Sequence, residues 1–129
     1  MVCLDSDIII EFLKNNKIIL NKINGLQENK KDISTTSINA FEVFRGFVNF
    51  KSDSLDKFNS FLSNLKIYNF NLSSSKKAAE IFEDLKSRGE ILDLADIMIA
   101  SIAISNNETL LTKNINHFKR ISELKLESV

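Results

Sequence analysis

Asp93 and Asp96 open a stretch, Leu92 to Ser105, that is otherwise almost wholly apolar: Leu94, Ala95, Ile97, Met98, Ile99, Ala100, Ile102, Ala103 and Ile104 leave no broad polar face. A helix of this kind is buried on most sides. Two carboxylates three residues apart lie on one face of it. Either they cap the helix and answer its dipole, or something binds them. Two more acids bear on that choice, Asp5 at the end of the apolar run VCL and Glu42 within FEVFRG. If Asp5, Glu42 and Asp96 converge, each pair of charges at about 4 Å costs ~4 kcal/mol at an effective dielectric of about 20. Three such pairs exceed what a small domain can spare, so carboxyls must protonate or a divalent cation must sit among them. An all-oxygen set selects Mg²⁺ or Mn²⁺ over zinc. A hard cation held by carboxylates and keeping some water suits phosphodiester or phosphate ester hydrolysis, hence a nuclease or a phosphatase.

The elements that must position these acids are legible as an alternation. Val2 to Asp5 reads as a strand, and Asp7 can cap the helix carrying Ile8, Ile9, Ile10, Phe12 and Leu13. A lysine- and asparagine-rich helical piece with Ile18, Ile19, Leu20, Ile23 and Leu26 follows, broken at Gly25 or shortly after. Asp32 to Thr36 reads as a second strand, with Ser37 as cap of a helix from about Ile38 to Phe50. On that helix Phe41, Val43, Phe44, Phe47, Val48 and Phe50 cover half the circumference, while Glu42, Arg45 and Asn49 share a narrow polar strip. Ser54 to Leu65 is a further helix. The phenylalanines of this region serve either a Phe-rich core or a partner surface. Ile67 to Phe70 is the third strand, and Ser73 to Arg88 a helix with Ala78, Ala79, Ile81, Phe82 and Leu85 inward and Gly89 past its end. Thr109 to Thr112 is a fourth strand, and Leu124 to Leu126 a fifth at the edge. This order predicts one α/β domain over residues 1–129, with a central, mostly parallel sheet of four to five strands covered on both faces. Ligands of such sheets bind beyond the carboxyl ends of the strands. Asp5, Glu42, Asp96 and Asn114 can all reach that edge.

Bulk composition narrows the function classes. Lysine plus arginine and aspartate plus glutamate number 17 each, so no net charge announces a nucleic-acid or membrane partner, and any such binding must be local. The single cysteine, Cys3, cannot form an internal disulfide and suits a reducing, cytoplasmic setting. The longest apolar run is too short to span a bilayer, and no leader is evident. Proline is absent and only three glycines occur, which excludes a Gly-rich phosphate loop and a dinucleotide fingerprint.

LDSDIII, FEVFRG with Glu42, ADIMIA with Asp96 preceded by Asp93, and LLTKNINHF, in this order and at this chain length, resemble the VapC-type toxins of the PIN-domain family over nearly the whole chain. The resemblance implies a three-layer α/β/α fold and a Mg²⁺- or Mn²⁺-dependent endoribonuclease. It also implies a homodimer held inactive by a VapB-type antitoxin whose tail reaches the acidic site. Asp5, Glu42 and Asp96 would be the metal-binding acids and Asp93 the additional acid just upstream. Ser6 and Thr112 would be hydroxyl donors orienting acids or water, with local turn bonding as their simpler role. Asn114 departs from the aspartate often found at its position. An amide is a weak ligand, so a second metal is weakened while the first is untouched.

Arg45 and Lys113 are candidate phosphate contacts, with Lys119 and Arg120 nearby. The simpler role for Arg45 is an ion pair with Glu42, one turn away. His117 reads as a packing or capping residue beside Phe118 rather than a general base. Two other readings compete. LDSD also fits phosphatases resembling the haloacid dehalogenase group, with Asp5 as nucleophile and Asp7 as acid, although Ile8 stands where threonine is usual. That reading requires Asp7, whereas the nuclease reading expects Asp7→Asn to survive. An inert PIN scaffold that binds RNA or protein is the third, disfavoured because clustered acids cost stability without a task.

Overall fold

A computed structural model describes residues 1–29, 32–47 and 52–129. The chain runs β1 (Val2–Leu4), α1 (Ser6–Leu13), α2 (Lys17–Glu28), β2 (Ile33–Thr36), α3 (Ser37–Gly46), α4 (Ser52–Leu62), β3 (Lys66–Tyr68), α5 (Leu72–Ser87), α6 (Leu94–Ser105), β4 (Thr109–Leu111), α7 (Ile115–Phe118) and β5 (Lys125–Glu127). The five strands form one sheet in the order β3-β2-β1-β4-β5, and every pairing is parallel. No helix among the described residues is long and apolar enough to cross a membrane.

Strand alternation sorts the core into two halves. Val2, Leu4, Ile33 and Leu111 face α1 to α4 and pack with Ile8, Ile9, Ile19, Ile23, Val43, Phe58 and Phe61. Cys3 and Leu110 face the other way, against Ile81 and Leu85 of α5, Ile97, Ile99, Ala100 and Ala103 of α6, and Phe118. Helix α6 is therefore enclosed on nearly all sides, as its composition requires. The central strands β1, β2 and β4 are buried along almost their whole length.

The structure corrects several local expectations. Asp5, not Asp7, caps α1: its carboxylate accepts the Ser6 N–H at 2.8 Å. Thr36, not Ser37, caps α3 by accepting the Asn39 N–H at 3.0 Å. The cap thus falls two residues earlier than expected at α1 and one earlier at α3, at or directly after the end of the strand. Gly25 lies inside α2, which ends three residues later at Glu28, so the break falls shortly after the glycine and not at it. A mid-helix glycine costs about 1 kcal/mol, less than burying Ile19, Ile23 and Leu26 on one face returns. On α5 Ala79 and Phe82 point outward, with Phe82 43% exposed, while Ile81 and Leu85 fill the core. Gly89 follows that helix with φ +69°, a left-handed conformation that suits glycine. Phe58 and Phe61 are buried, Phe61 stacking on Phe12 with ring centroids 4.2 Å apart, whereas Phe41 is 60% exposed. Phenylalanine thus serves both the core and the surface. Val48, Asn49 and Phe50, assigned above to the α3 helix, lie outside the described residues.

Candidate active site

Asp5 sits where β1 becomes α1, at the carboxyl edge of the central strand, and is almost wholly buried. Both of its oxygens are engaged. Oδ1 accepts the Ser6 N–H and, at 3.0 Å, the Asn39 Nδ2–H, while Oδ2 accepts the Thr112 hydroxyl at 2.7 Å. Three chain segments therefore aim one carboxylate. Burial pushes its pKa up to about 7, with the Asp7 charge adding to the rise and Asp96 contributing a smaller part; the bonds from Thr112 and Ser6 oppose it.

Glu42 projects from α3 toward the same edge, and its Oε1 accepts the Ser6 hydroxyl at 2.7 Å. Ser6 Oγ in turn accepts the Asn39 Nδ2–H at 2.8 Å, so one amide orients both Asp5 and the hydroxyl that holds Glu42. Asn39 is fully buried and fixed by Thr36, whose Oγ1 donates to its Oδ1 at 2.7 Å. Asp96 lies in the first turn of α6, half-buried. Burial raises its pKa, and the charges of Glu42, Asp93 and Asp7 push the same way, with His117 opposing. Asp93 occupies the cap position of α6 but makes no side-chain cap bond, so its carboxylate is exposed and uncommitted. Capping does not account for the pair. The loop before it is held from outside: Arg120 Nη1 donates to the Ile91 carbonyl at 3.2 Å, and Arg88 Nη2 to the Arg120 carbonyl at 2.7 Å.

Thr112 follows β4 and is buried, its Oγ1 also accepting the Asn114 N–H at 2.9 Å. Ser6 and Thr112 thus do orient acids, beyond simple turn bonding. Lys113 contributes its main-chain N–H, 3.0 Å from Asp7 Oδ2, and carries an exposed side chain. Arg45 is exposed with its guanidinium 5.5 Å from the Phe41 ring centroid, a cation–π arrangement rather than the ion pair with Glu42. His117 is not a packing residue: its ring is half exposed, and Nδ1 lies 3.8 Å from Asp96 Oδ2.

Two contributors escaped the sequence. Asn39 precedes Glu42 by three residues, so the shared face was readable, but an asparagine in a helix gives no sign of which acid it will meet. Asp7 was assigned to capping or to phosphatase chemistry; instead it joins the cluster. Its Oδ2 faces Lys113 and Thr112, its Oδ1 is buried without a hydrogen-bond partner, and burial raises its pKa.

Among the described residues no three His, Cys, Asp or Glu side chains are close enough together to ligate one ion. The residues nevertheless fit a hard cation. The donors are carboxylate oxygens, burial and, after it, their mutual field raise the pKa of Asp5 and Asp96, and Asp7 Oδ1 is a buried acceptor without a hydrogen-bond partner.

A parallel α/β/α sandwich with carboxylates gathered at the carboxyl edge of its central strands defines a class of acidic hydrolase-like sites. The PIN-domain model matches residues 2–124, and the chain belongs to the PIN-domain family. Among curated proteins it is 40% identical over 78 residues to ribonuclease VapC2 of Rickettsia felis, covering 60% of this chain and 58% of that protein. It is 29% identical over 126 residues to ribonuclease VapC1 of Methanocaldococcus jannaschii, covering 98% of this chain and 85% of that one. Among solved structures, the VapBC2 complex of Rickettsia felis, bound to a DNA fragment from its promoter, contains a chain that superposes with a TM-score of 0.92 at 32% identity. That match covers 100% of this chain and 99% of the other.

Proposed function

We propose that this chain is a Mg²⁺- or Mn²⁺-dependent endoribonuclease, the toxin of a VapBC-type toxin–antitoxin pair. The observation that carries the reading is the gathering of Asp5, Glu42 and Asp96 at one edge of a PIN-family sheet, with Asp7 and Asp93 beside them and with Asn39, Ser6 and Thr112 aiming them. Asp5, Glu42 and Asp96 would hold the cation. A bound divalent ion supplies the positive charge that activates water and stabilises the phosphate during phosphodiester hydrolysis. The chain supplies the rest. Asn39 and Thr112 fix Asp5 in a single orientation, so its carboxylate need not reorganise as charge develops. Ser6 holds Glu42 at the same edge. Asp93, free of its helix end, is the acid best placed to accept a proton from the solvent side. Lys113 beside Asp7 and, more remotely, Arg45 are cationic groups for the RNA backbone.

The partners follow from the same reading: an RNA substrate, a VapB-type antitoxin and a second copy of the chain, acting in the cytoplasm. Purified protein incubated with end-labelled RNA, including total tRNA, should cut it in Mg²⁺ or Mn²⁺ and not in EDTA, and Asp96→Asn should not cut. Cutting that persists in EDTA or in Asp96→Asn refutes this site.

A further inference from the structure

One group facing the acids has no part in the scheme above. The imidazole of His117, the chain's only histidine, is half exposed beside Asp96, with Nδ1 2.9 Å from Asn114 Nδ2. In this arrangement the Asn114 amide nitrogen can only donate, which suits a bare Nδ1 and a neutral ring with its proton on Nε2. Asp96 Oδ2, at 3.8 Å from the same Nδ1, is beyond hydrogen-bond reach and does not claim a proton there. Asn114 is itself held in place. Its main-chain N–H donates to Thr112 Oγ1, whose own proton goes to Asp5 Oδ2, so the ring is tied through two residues to the central acid.

We propose that Asn114 locks His117 in the Nε2–H tautomer and that this N–H donates a hydrogen bond to a phosphate oxygen of the RNA strand held beside Asp96. The inference rests on the ribonuclease reading. Phosphate oxygens only accept, so a ring presenting Nε2–H is complementary to the backbone, whereas the opposite tautomer would turn a lone pair toward it. Asn114 then acts through His117 as a positioning residue. A carboxylate at 114 would draw the proton to Nδ1 and reverse the ring's polarity toward the strand.

A single histidine makes the tautomer directly readable. In protein labelled with ¹⁵N-histidine, at about pH 8.5 where imidazoles are mostly neutral, the two ring nitrogens should show the Nε2–H pattern. Asn114→Asp should convert it to Nδ1–H, and Asn114→Ala to a mixture. Addition of a 2′-O-methyl RNA oligonucleotide in Ca²⁺ should shift the Nε2 resonance. By fluorescence anisotropy, His117→Phe should raise the Kd for that oligonucleotide about tenfold, as expected for a lost bond to a charged group. His117→Gln, which keeps a donor, should recover part of the loss. An Nδ1–H ring in the unmodified protein, or a His117→Phe variant that binds as tightly, overturns the proposal while leaving metal-dependent cleavage intact. Wild-type protein that neither binds this oligonucleotide nor cuts RNA removes the ribonuclease reading and this inference together.

Discussion

Asn39 carries more of the site than any single acid except Asp5. Its amide donates to Asp5 Oδ1 and Ser6 Oγ and accepts from Thr36, all without solvent contact. Asn39→Ala leaves several buried groups unsatisfied, and we expect a stability loss of about 1–3 kcal/mol, read as a lower urea midpoint. Cleavage should fall further than stability explains, because Ser6 and Glu42 lose their common anchor. Asp5 offers a separate test through linkage. Its pKa is about 7 in the folded chain, against an ordinary 3.8. Between those values the folded state binds more protons than the unfolded state, so metal-free stability should fall as pH rises through that window. Asp7 and Asp96, raised in the same direction, add to the trend. In EDTA the urea midpoint should therefore be higher near pH 5 than near pH 7.5. A midpoint rising over that interval would mean that burial and mutual repulsion do not destabilise these carboxylates.

Elements place these residues by their ends. Asp5, directly after β1, and Thr36, at the end of β2, each cap the next helix, so β1–α1 and β2–α3 turn directly beside each other and bring Asn39 onto Asp5. Away from the site, Tyr68 on β3 donates its hydroxyl to Glu108 Oε1 at 2.8 Å. Glu108 is buried, and its other oxygen has no hydrogen-bond partner. Tyr68→Phe would leave that carboxylate with neither oxygen bonded. We expect about 1–3 kcal/mol of destabilisation, with cleavage per folded molecule unchanged, measured by urea denaturation alongside RNA cutting. A neutral result would show that water satisfies Glu108 as well as the phenol does. At this scale the chain was mostly legible: the alternation of strands and helices, the buried α6 and the stop at Gly89 follow from apolar patterning. The errors fell where tertiary packing outweighs local preference, as at Phe82, which the pattern turned inward and the fold turns out.

For the whole molecule, the test is the coupling of fold to ion. The acids repel one another in the folded chain and separate when it unfolds, so a cation that binds only the folded state must stabilise it by mass action. Excess Mn²⁺ should raise the Tm of the wild type by several degrees, and should have little effect on Asp5→Asn or Asp96→Asn. Equal shifts in all three proteins would place the ion elsewhere. The sequence by itself determined the parallel α/β/α architecture and the family, and it singled out Asp5, Glu42, Asp93 and Asp96 as the candidate acids. Periodicity and ordered motifs are local properties that survive in one dimension. Only the tertiary structure decided that Asn39 bonds Asp5 and that Asp7 stands beside it, that Asp93 leaves its helix end uncapped, and that His117 faces Asp96 rather than the core. Contacts between residues as far apart as Asp5 and Thr112 depend on strand order and helix rotation, and no local spacing encodes either.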